Sequence, residues 1–352
     1  MASALSTPNI AFIKYWGNRN QELRLPAADS LSMTLDSPTV EVTAELANTL
    51  SVESFDTGGS IRILTDKEVA RFAAHKALME RYLIHLAPQF SIINFQLSIR
   101  SQIPPAIGLA SSAAVFSAVA KAYAALLEEQ DIHLTDEQVS ILARLGSGSA
   151  ARSVMGGFVA LQNRCYGGLV MVSGVEPRTI DTIDSAIAIQ IAPASHWPFH
   201  DIVICPSLKE KEHGSTEGHH LAHTSPHYEE RLQQIPRRQQ ECIDAILQKD
   251  FEKLQRVAEE DAWNLHKVAE TSTPSLKYLT EDTRRITREI TELRKREHLA
   301  VLYTMDAGPT VHLICTEDAV QTVKEFAHAQ KDCTVFETKI GSGTRTIAIT
   351  RT

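Results

Sequence analysis

The segment at residues 102–118 has the sequence QIPPAIGLASSAAVFSA. Two prolines and Gly108 precede Ser111 and Ser112, and the Ala-rich run after them predicts a helix from Ser111 to about Glu129. Free backbone N–H groups, two hydroxyls and the positive end of a helix dipole therefore meet at one point, which suits a phosphate group. The segment is not a Walker A loop, because no Gly-Lys-Ser/Thr follows. A serine-capped helix of the core is the alternative interpretation.

A second turn of small residues lies at 146–153 and has the sequence GSGSAARS. It follows a helix predicted over 135–145. The hydroxyls of Ser147 and Ser149 can donate hydrogen bonds, and Arg152 can bind phosphate or carboxylate oxygens with two parallel bonds. A turn between two helices that carries a surface arginine is the alternative.

The third segment, at residues 9–18, has the sequence NIAFIKYWGN. Its apolar residues predict a strand, and Lys14 lies at the end of that strand beside Tyr15 and Trp16. A lone lysine on a strand is usually a solvated edge residue. The two aromatic neighbours favour a half-buried anchoring role for this lysine.

The fourth segment, at residues 303–309, has the sequence YTMDAGP and places Asp306 in a tight turn after an apolar strand. Turn geometry alone can select an aspartate before glycine. A positioned general base is the functional alternative, and Asp306 by itself does not decide between the two.

Composition limits the class of protein. The chain has 352 residues, of which 43% are hydrophobic and 22% charged, and this length predicts two domains or one large α/β unit. A net charge of −8 argues against a general nucleic-acid binder. The five cysteines form no CxxC pair, so we expect neither a disulfide framework nor a zinc site. The sequence has no signal-like N-terminus and no run of about 18 apolar residues, which predicts a cytoplasmic protein with no membrane partner.

Strands and helices are mixed along the chain without strict βαβ alternation, which favours an α+β fold with antiparallel pairing. The segment 193–198 is rich in Pro, Ala and Ser and predicts a hinge. We therefore expect two domains, 1–195 and 196–352. Residues 209–227, in the second domain, are crowded with Lys, Glu, Gly and His and predict a polar loop.

Five segments, in this order, resemble the diphosphomevalonate decarboxylase family of the GHMP kinase superfamily: 9–17, 25–35, 108–114, 146–157 and 306–309. The motifs IKYWG and GSGSAARS are characteristic of the decarboxylase branch. The resemblance implies a two-domain GHMP-kinase-like fold, with a ribosomal-protein-S5-like N-terminal domain that binds ATP and a ferredoxin-like C-terminal domain on the substrate side. It also implies an active site in the cleft between them, ATP with Mg²⁺, a phosphorylated mevalonate as substrate, and a homodimer.

The resemblance further implies roles for single residues. Asp306 would take the proton from the substrate's tertiary 3-hydroxyl, Lys14 would support the reacting hydroxyl and phosphates, and Arg152 would hold the substrate carboxylate. The nucleotide phosphates would lie against Gly108, Leu109, Ala110, Ser111 and Ser112. The substrate would lie against Tyr15 and Trp16, with Ser147 and Ser149 on its 5-phosphate side.

These roles fit the chemistry of the family. A tertiary hydroxide is a poor leaving group, so phosphoryl transfer from ATP first converts it into phosphate, with Asp306 assisting the attack. Departure of that phosphate leaves C3 electron-deficient, and loss of CO₂ supplies the electrons of the alkene. A carboxylate held by Arg152 away from water meets this requirement.

Two positions depart from the family pattern. The motif KYWGK ends here in Asn18, and Thr216 stands where the motif SSRDG has its arginine. In the family both cations serve the diphosphate end of the substrate. A charge-assisted hydrogen bond contributes roughly 1.5–3 kcal/mol, so losing two would cost about 3–6 kcal/mol, or about a hundred- to ten-thousand-fold in affinity. We therefore predict a substrate with one phosphate fewer, 5-phosphomevalonate, which is decarboxylated to isopentenyl phosphate.

Two alternative activities stay open. If Arg19, Lys209, Lys211 or His219 replaces the missing charges, the substrate is the diphosphate and the product is isopentenyl diphosphate. A kinase that resembles mevalonate 3-kinase would instead stop at the 3-phosphate, against which the retained Asp306 and its partners argue. A non-catalytic binding protein would be expected to lose Asp306 or the serine loop, and both are present.

The polar loop invites a metal-site interpretation, since His219, His223 and His227 are spaced by four residues. Gly218 and Pro226 interrupt a continuous helix there, and no HExxH pattern lies nearby. We therefore expect a polar loop near the mouth of the substrate site, and we assign no metal ligand.

Overall fold

The computed structural model describes residues 1–55, 59–88, 90, 93–103, 111–163, 181–206 and 213–348. The strands, in chain order, are β1 Ala2–Ser6, β2 Asn9–Ile13, β3 Asn18–Asn20, β4 Leu25–Pro26, β5 Ser30–Thr34, β6 Val40–Leu46, β7 Ser51–Phe55, β8 Ile61–Arg62, β9 Phe95–Ser101, β10 Phe158–Asn163, β11 Ala186–Ala192, β12 His200–Cys205, β13 Val301–Thr304, β14 Val311–Cys315, β15 Thr334–Lys339 and β16 Arg345–Ile347. The α-helices are α1 Asp66–Leu86, α2 Ser111–Glu128, α3 Asp136–Gly146, α4 Ala150–Ser153, α5 Ser215–Leu221, α6 Tyr228–Gln248, α7 Phe251–Glu270, α8 Glu281–Glu297 and α9 Val320–His328.

Two sheets dominate the N-terminal half. The first has the strand order β16-β1-β6-β9-β7-β8, and the second has the order β11-β10-β5-β2. Helix α2 packs on β1 and β6, and its many buried alanines let the helix approach the sheet closely. The helix predicted from Ser111 is confirmed.

The C-terminal half contains a third sheet, with the order β13-β14-β12-β15 and antiparallel pairing throughout. Helices α6 and α7 pack against each other and against β2 of the N-terminal half. One hydrophobic cluster therefore joins the two halves, since it contains Phe12 and Phe158 from the first half and Ile243 and Leu254 from the second.

The chain passes from one sheet to another between β11 and β12, the region in which the boundary near residue 195 was expected. The last strand, β16, returns to pair with β1, and Leu35 forms a bridge with Ile340. The elements have the expected α+β architecture, while the division at residue 195 stays a prediction. No helix in the described residues is long and apolar enough to cross a membrane.

The expectation of a polar loop over residues 209–227 is wrong for its described part. Helix α5 occupies Ser215–Leu221, and a 3₁₀ helix follows at Ala222–Thr224. Gly218 does not interrupt α5. It is needed for close packing, because a Cβ at this position would lie 2.5 Å from Trp16 Cζ2. Lys209 and Lys211 lie outside the described residues.

Candidate active site

A lysine–aspartate ion pair joins the two halves of the molecule. Lys14 directly follows β2, and Asp306 follows β13 after one residue. Lys14 Nζ donates to Asp306 Oδ1 at 2.7 Å, and the Lys14 backbone N–H donates to Asp261 Oδ2 on α7, also at 2.7 Å. The Lys14 side chain is 2% exposed, whereas the Asp306 side chain is 31% exposed. The open side of the pair is therefore the carboxylate.

The charges around Asp306 keep its carboxylate ionised. Burial alone would raise its pKa, but Lys14 above all, together with His312 and Arg152, holds the pKa below the ordinary value of 3.8. Burial lowers the pKa of Lys14 from its ordinary 10.5, and Asp306 works against this. At neutral pH the site thus offers a carboxylate that accepts a proton or a hydrogen bond, with a fixed cation behind it.

Arg152 lies on the short helix α4 and is 3% exposed. Its guanidinium donates to Ser32 Oγ at 2.9 Å, Ser30 Oγ at 2.5 Å and Asn9 Oδ1 at 3.2 Å. All three acceptors are uncharged, and no carboxylate of the described residues forms a salt bridge with this arginine. Burial lowers the pKa of Arg152 to about 10, so it stays charged at neutral pH. A buried cation that has no direct ion pair within the described residues can bind the carboxylate or phosphate of a ligand.

The serine turn at 146–149 meets the start of α2. Ser147 Oγ lies 3.1 Å from Ser112 Oγ and 3.4 Å from Ser149 Oγ. Gly148 packs so closely against Tyr15 that any Cβ would clash with the ring. The structure thus brings together Ser112, the serine turn and the segment of Lys14. Residues 108–110, expected at the nucleotide phosphates, lie outside the described residues.

Helix α5 packs over the aromatic pair that follows Lys14. The His219 ring centroid lies 4.2 Å from that of Tyr15 and 5.0 Å from that of Trp16. The Gly17 backbone N–H donates to His219 Nδ1 at 3.0 Å. Burial, with a contribution from Arg24, lowers the pKa of His219 to about 3. His219 is therefore neutral and cannot replace a missing cation.

Of the two positions that depart from the family pattern, Asn18 closely follows the aromatic pair in the chain, and Thr216 lies on the helix that carries His219. Asn18 accepts a hydrogen bond from the Tyr15 hydroxyl, and its amide donates to Gln21 Oε1 at 2.8 Å. Thr216 is exposed in the first turn of α5. Arg19, a possible substitute cation, donates to Asp181 Oδ1 at 2.8 Å and to the Pro26 carbonyl at 2.9 Å.

Two arginines beside the serine turn, Arg24 and Arg71, were not predicted from the sequence. Arg24 Nε donates to the Leu145 carbonyl at 3.0 Å, and Arg71 Nη2 donates to the Gly146 carbonyl at 3.0 Å. No motif marks either residue, because both contacts depend on tertiary packing. The prediction from Asn18 and Thr216 that positive charge is missing near the serine turn therefore did not take these two arginines into account.

The two-domain fold and the cluster of Lys14, Asp306 and Arg152 are those of an enzyme of the GHMP kinase type. Two family models match the chain: the diphosphomevalonate decarboxylase-like N-terminal domain over residues 6–167, and the mevalonate 5-diphosphate decarboxylase C-terminal domain over residues 202–347. The diphosphomevalonate decarboxylase of Candida albicans is 31% identical over 347 residues, covering 93% of this chain and 89% of that protein. The diphosphomevalonate decarboxylase of Bos taurus is 30% identical over 336 residues, covering 91% and 77%.

Solved structures are similar over almost the whole chain. Mevalonate diphosphate decarboxylase from Staphylococcus aureus has a TM-score of 0.82 at 26% identity, covering 99% of this chain and 98% of that one. A structure described as MDDEF in complex with MVAPP, AMPPCP and magnesium has a TM-score of 0.81 at 25% identity and covers 99% of both chains. The chain belongs to the diphosphomevalonate decarboxylase family, and it is a decarboxylase of the mevalonate pathway.

Proposed function

We propose that this chain uses ATP to decarboxylate a mevalonate that carries phosphate on its 5-oxygen. The observation that carries the proposal is the buried Arg152, which has only uncharged hydrogen-bond partners in the described residues and is electrostatically coupled to Asp306. A substrate carboxylate would neutralise Arg152 and bring the neighbouring 3-hydroxyl towards the open side of Asp306.

Each residue of the site then has one task. Asp306 accepts the proton of the 3-hydroxyl, and Lys14 holds the Asp306 carboxylate in place and offsets negative charge beside it. Arg152 orients the substrate carboxylate so that its bond to C2 can break as the C3–oxygen bond breaks. When bound, ATP with Mg²⁺ supplies the phosphoryl group that turns the 3-hydroxyl into a leaving group.

The residues present fit a nucleotide with its magnesium ion. Ser111 and Ser112 lie at the N-terminus of α2, where free N–H groups and hydroxyls would bind phosphate oxygens. The described residues contain no group of three or more His, Cys, Asp or Glu that could hold a metal ion by itself. Mg²⁺ usually takes one or two carboxylates and completes its shell with substrate phosphates and water, so it does not need a group of three such side chains. AMPPCP, an ATP analogue, and magnesium are present in one of the similar structures.

The diphosphate is the first candidate substrate, which reverses the preference drawn from the sequence. The named relatives are diphosphomevalonate decarboxylases, and this supports mevalonate 5-diphosphate over the monophosphate predicted from Asn18 and Thr216. Arg24 and Arg71 also support it, because they add positive charge beside the serine turn.

The monophosphate stays as a second candidate substrate. It is supported because two of the residues expected to replace the missing cations, Arg19 and His219, do not provide a free positive charge. Arg19 is paired with Asp181, and His219 is neutral, so neither compensates for Asn18. The homodimer and the cytoplasmic location also stay predictions.

Product analysis with ATP and each of the two substrates tests the proposal. We expect equimolar CO₂ and ADP, with a higher kcat/KM for the 5-diphosphate than for the 5-monophosphate. The reverse order would replace the first candidate by the second. ADP without CO₂ would indicate a kinase that stops at the 3-phosphate, and no turnover of either compound would overturn the proposed function.

A further inference from the structure

The turn between β3 and β4 contains a residue in an unusual backbone conformation. Arg24 has a φ of 48°, in the left-handed region that non-glycine residues seldom adopt. Glycine or asparagine would adopt this conformation at lower cost. A strained residue that persists is a reason to look for a function of its side chain.

The Arg24 side chain points to the phosphate end of the site. Its Nε bonds to the carbonyl of Leu145, the residue immediately before the turn at 146–149, and Arg71 bonds to the next carbonyl. Neither arginine forms a salt bridge with any residue that the structure describes. One cation at the C-terminal end of α3 would complement the helix dipole, but two adjacent cations repel each other.

The electrostatics of the neighbouring groups agree with this position. Burial, together with the nearby charge of Arg24, lowers the pKa of Arg71 to about 10. Burial raises the pKa of Tyr15 to about 12, and Arg24 is the first of the charges that oppose this rise. The region next to Tyr15 and the serine turn is therefore positive, although Asn18 itself is neutral.

We propose that Arg24 supplies the positive charge that position 18 lacks and binds the phosphate groups on the 5-oxygen of the substrate. Arg24 is then a specificity-determining residue, and its approach from the β3–β4 turn explains why an arginine occupies a left-handed position there. This inference rests on the proposed function.

Steady-state kinetics of Arg24→Asn test the inference. Asparagine is chosen because it tolerates the left-handed backbone, so the variant should keep the fold. We expect the KM for the phosphorylated substrate to rise about ten- to a hundred-fold, because the variant loses a charge-assisted hydrogen bond to the substrate phosphate. The KM for ATP should not change, and kcat should stay within about three-fold, since the contact is equally strong in ground and transition states. Arg24→Lys should restore most of the affinity.

The matched control is Arg81→Asn, since Arg81 is 62% exposed and pairs with Glu22 of the same turn. It should leave both KM values unchanged. An unchanged KM for the phosphorylated substrate in Arg24→Asn would overturn the inference, as would an equal rise in the KM for ATP.

Calorimetric binding of inorganic diphosphate separates this inference from the proposed function, since it needs no turnover. The wild-type protein should bind inorganic diphosphate more tightly than Arg24→Asn does, and equal affinities would count against Arg24. If neither mevalonate phosphate is turned over while this difference persists, the proposed function fails and the assignment of Arg24 stands.

Discussion

The ion pair of Lys14 and Asp306 combines two groups with unequal access to solvent. The ammonium is buried at the end of β2, and the carboxylate opens into the site. Each group stabilises the charged form of the other against the cost of burial. The pair therefore keeps the Asp306 carboxylate charged at neutral pH, which the proposed function requires of it.

The pH dependence of kcat/KM should report both groups. The pKa of Asp306 is lowered, so its charged form is lost only as the pH falls below 3.8. The pKa of Lys14 is also lowered, so its cation is lost as the pH rises through a value below 10.5. We expect the alkaline limb to move to higher pH in Lys14→Arg, because a guanidinium stays protonated there. Identical alkaline limbs in the two proteins would show that Lys14 is not the titrating group.

At the scale of single elements, helix α5 depends on its contacts for its position. A helix of seven residues is not stable alone. It is held by the approach of Gly218 to Trp16 and by the bond from Gly17 to His219. Its placement next to Tyr15 therefore follows from tertiary packing.

The variant Gly218→Ala should displace α5. The new Cβ would lie 2.5 Å from Trp16 Cζ2 and 2.6 Å from the Tyr278 hydroxyl, and both rings are buried. Overpacking of this kind costs about 1–3 kcal/mol, and we expect a lower melting temperature and a higher KM for the phosphorylated substrate. Gly214→Ala is the matched control, since a Cβ built there has no contact within 4 Å from the part of the chain that the structure describes, apart from its chain neighbours. Equal behaviour of the two variants would contradict the docking role of α5.

Local signals explain which elements could be predicted from the sequence. The start of α2 at Ser111 and the capping box of α3 at Thr135 and Gln138 depend on residues that are close in sequence, and both are present. Helix α5 was missed because Gly218 is a helix breaker by propensity alone. Its packing partner Trp16 lies some two hundred positions earlier, beyond the reach of any local pattern.

At the scale of the molecule, Asp261 ties the two halves together. Its carboxylate accepts hydrogen bonds from Arg231 at 2.9 and 3.0 Å, from Arg238 at 3.3 Å and from the Lys14 backbone N–H at 2.7 Å. All these groups are buried. The position of Lys14 thus depends on a carboxylate of the C-terminal half.

The variant Asp261→Asn should lower the free energy of unfolding by about 3–5 kcal/mol, because the buried Arg231 loses its counter-charge and Arg238 keeps only the part-exposed Glu260. Urea denaturation measures this change. The neighbouring Glu260→Gln is the control: Glu260 also binds Arg238 but is 39% exposed, so its loss should cost less than about 1 kcal/mol. Similar losses in the two variants would show that the buried carboxylate of Asp261 contributes no more to stability than the part-exposed Glu260.

The residues that the sequence did not reveal are those whose partners lie far away in the chain. Arg24 and Leu145 are 121 positions apart, and Lys14 and Asp261 are 247 apart. The net charge of −8 also gave no hint of the local cations, because a few arginines determine the potential of the site. Lys14, Arg152 and Asp306 were predicted from the motifs that contain them, and the fold brings Lys14 and Asp306 into contact.

The proposed role of Asp306 as the proton acceptor underlies the whole mechanism, and the turnover of Asp306→Asn tests it. The amide keeps the shape of the carboxylate but cannot accept the proton, so we expect CO₂ release to fall by at least about 10²-fold. Affinity for the nucleotide, measured by calorimetry, should remain readily detectable. Near-normal release of CO₂ by Asp306→Asn would contradict the assignment.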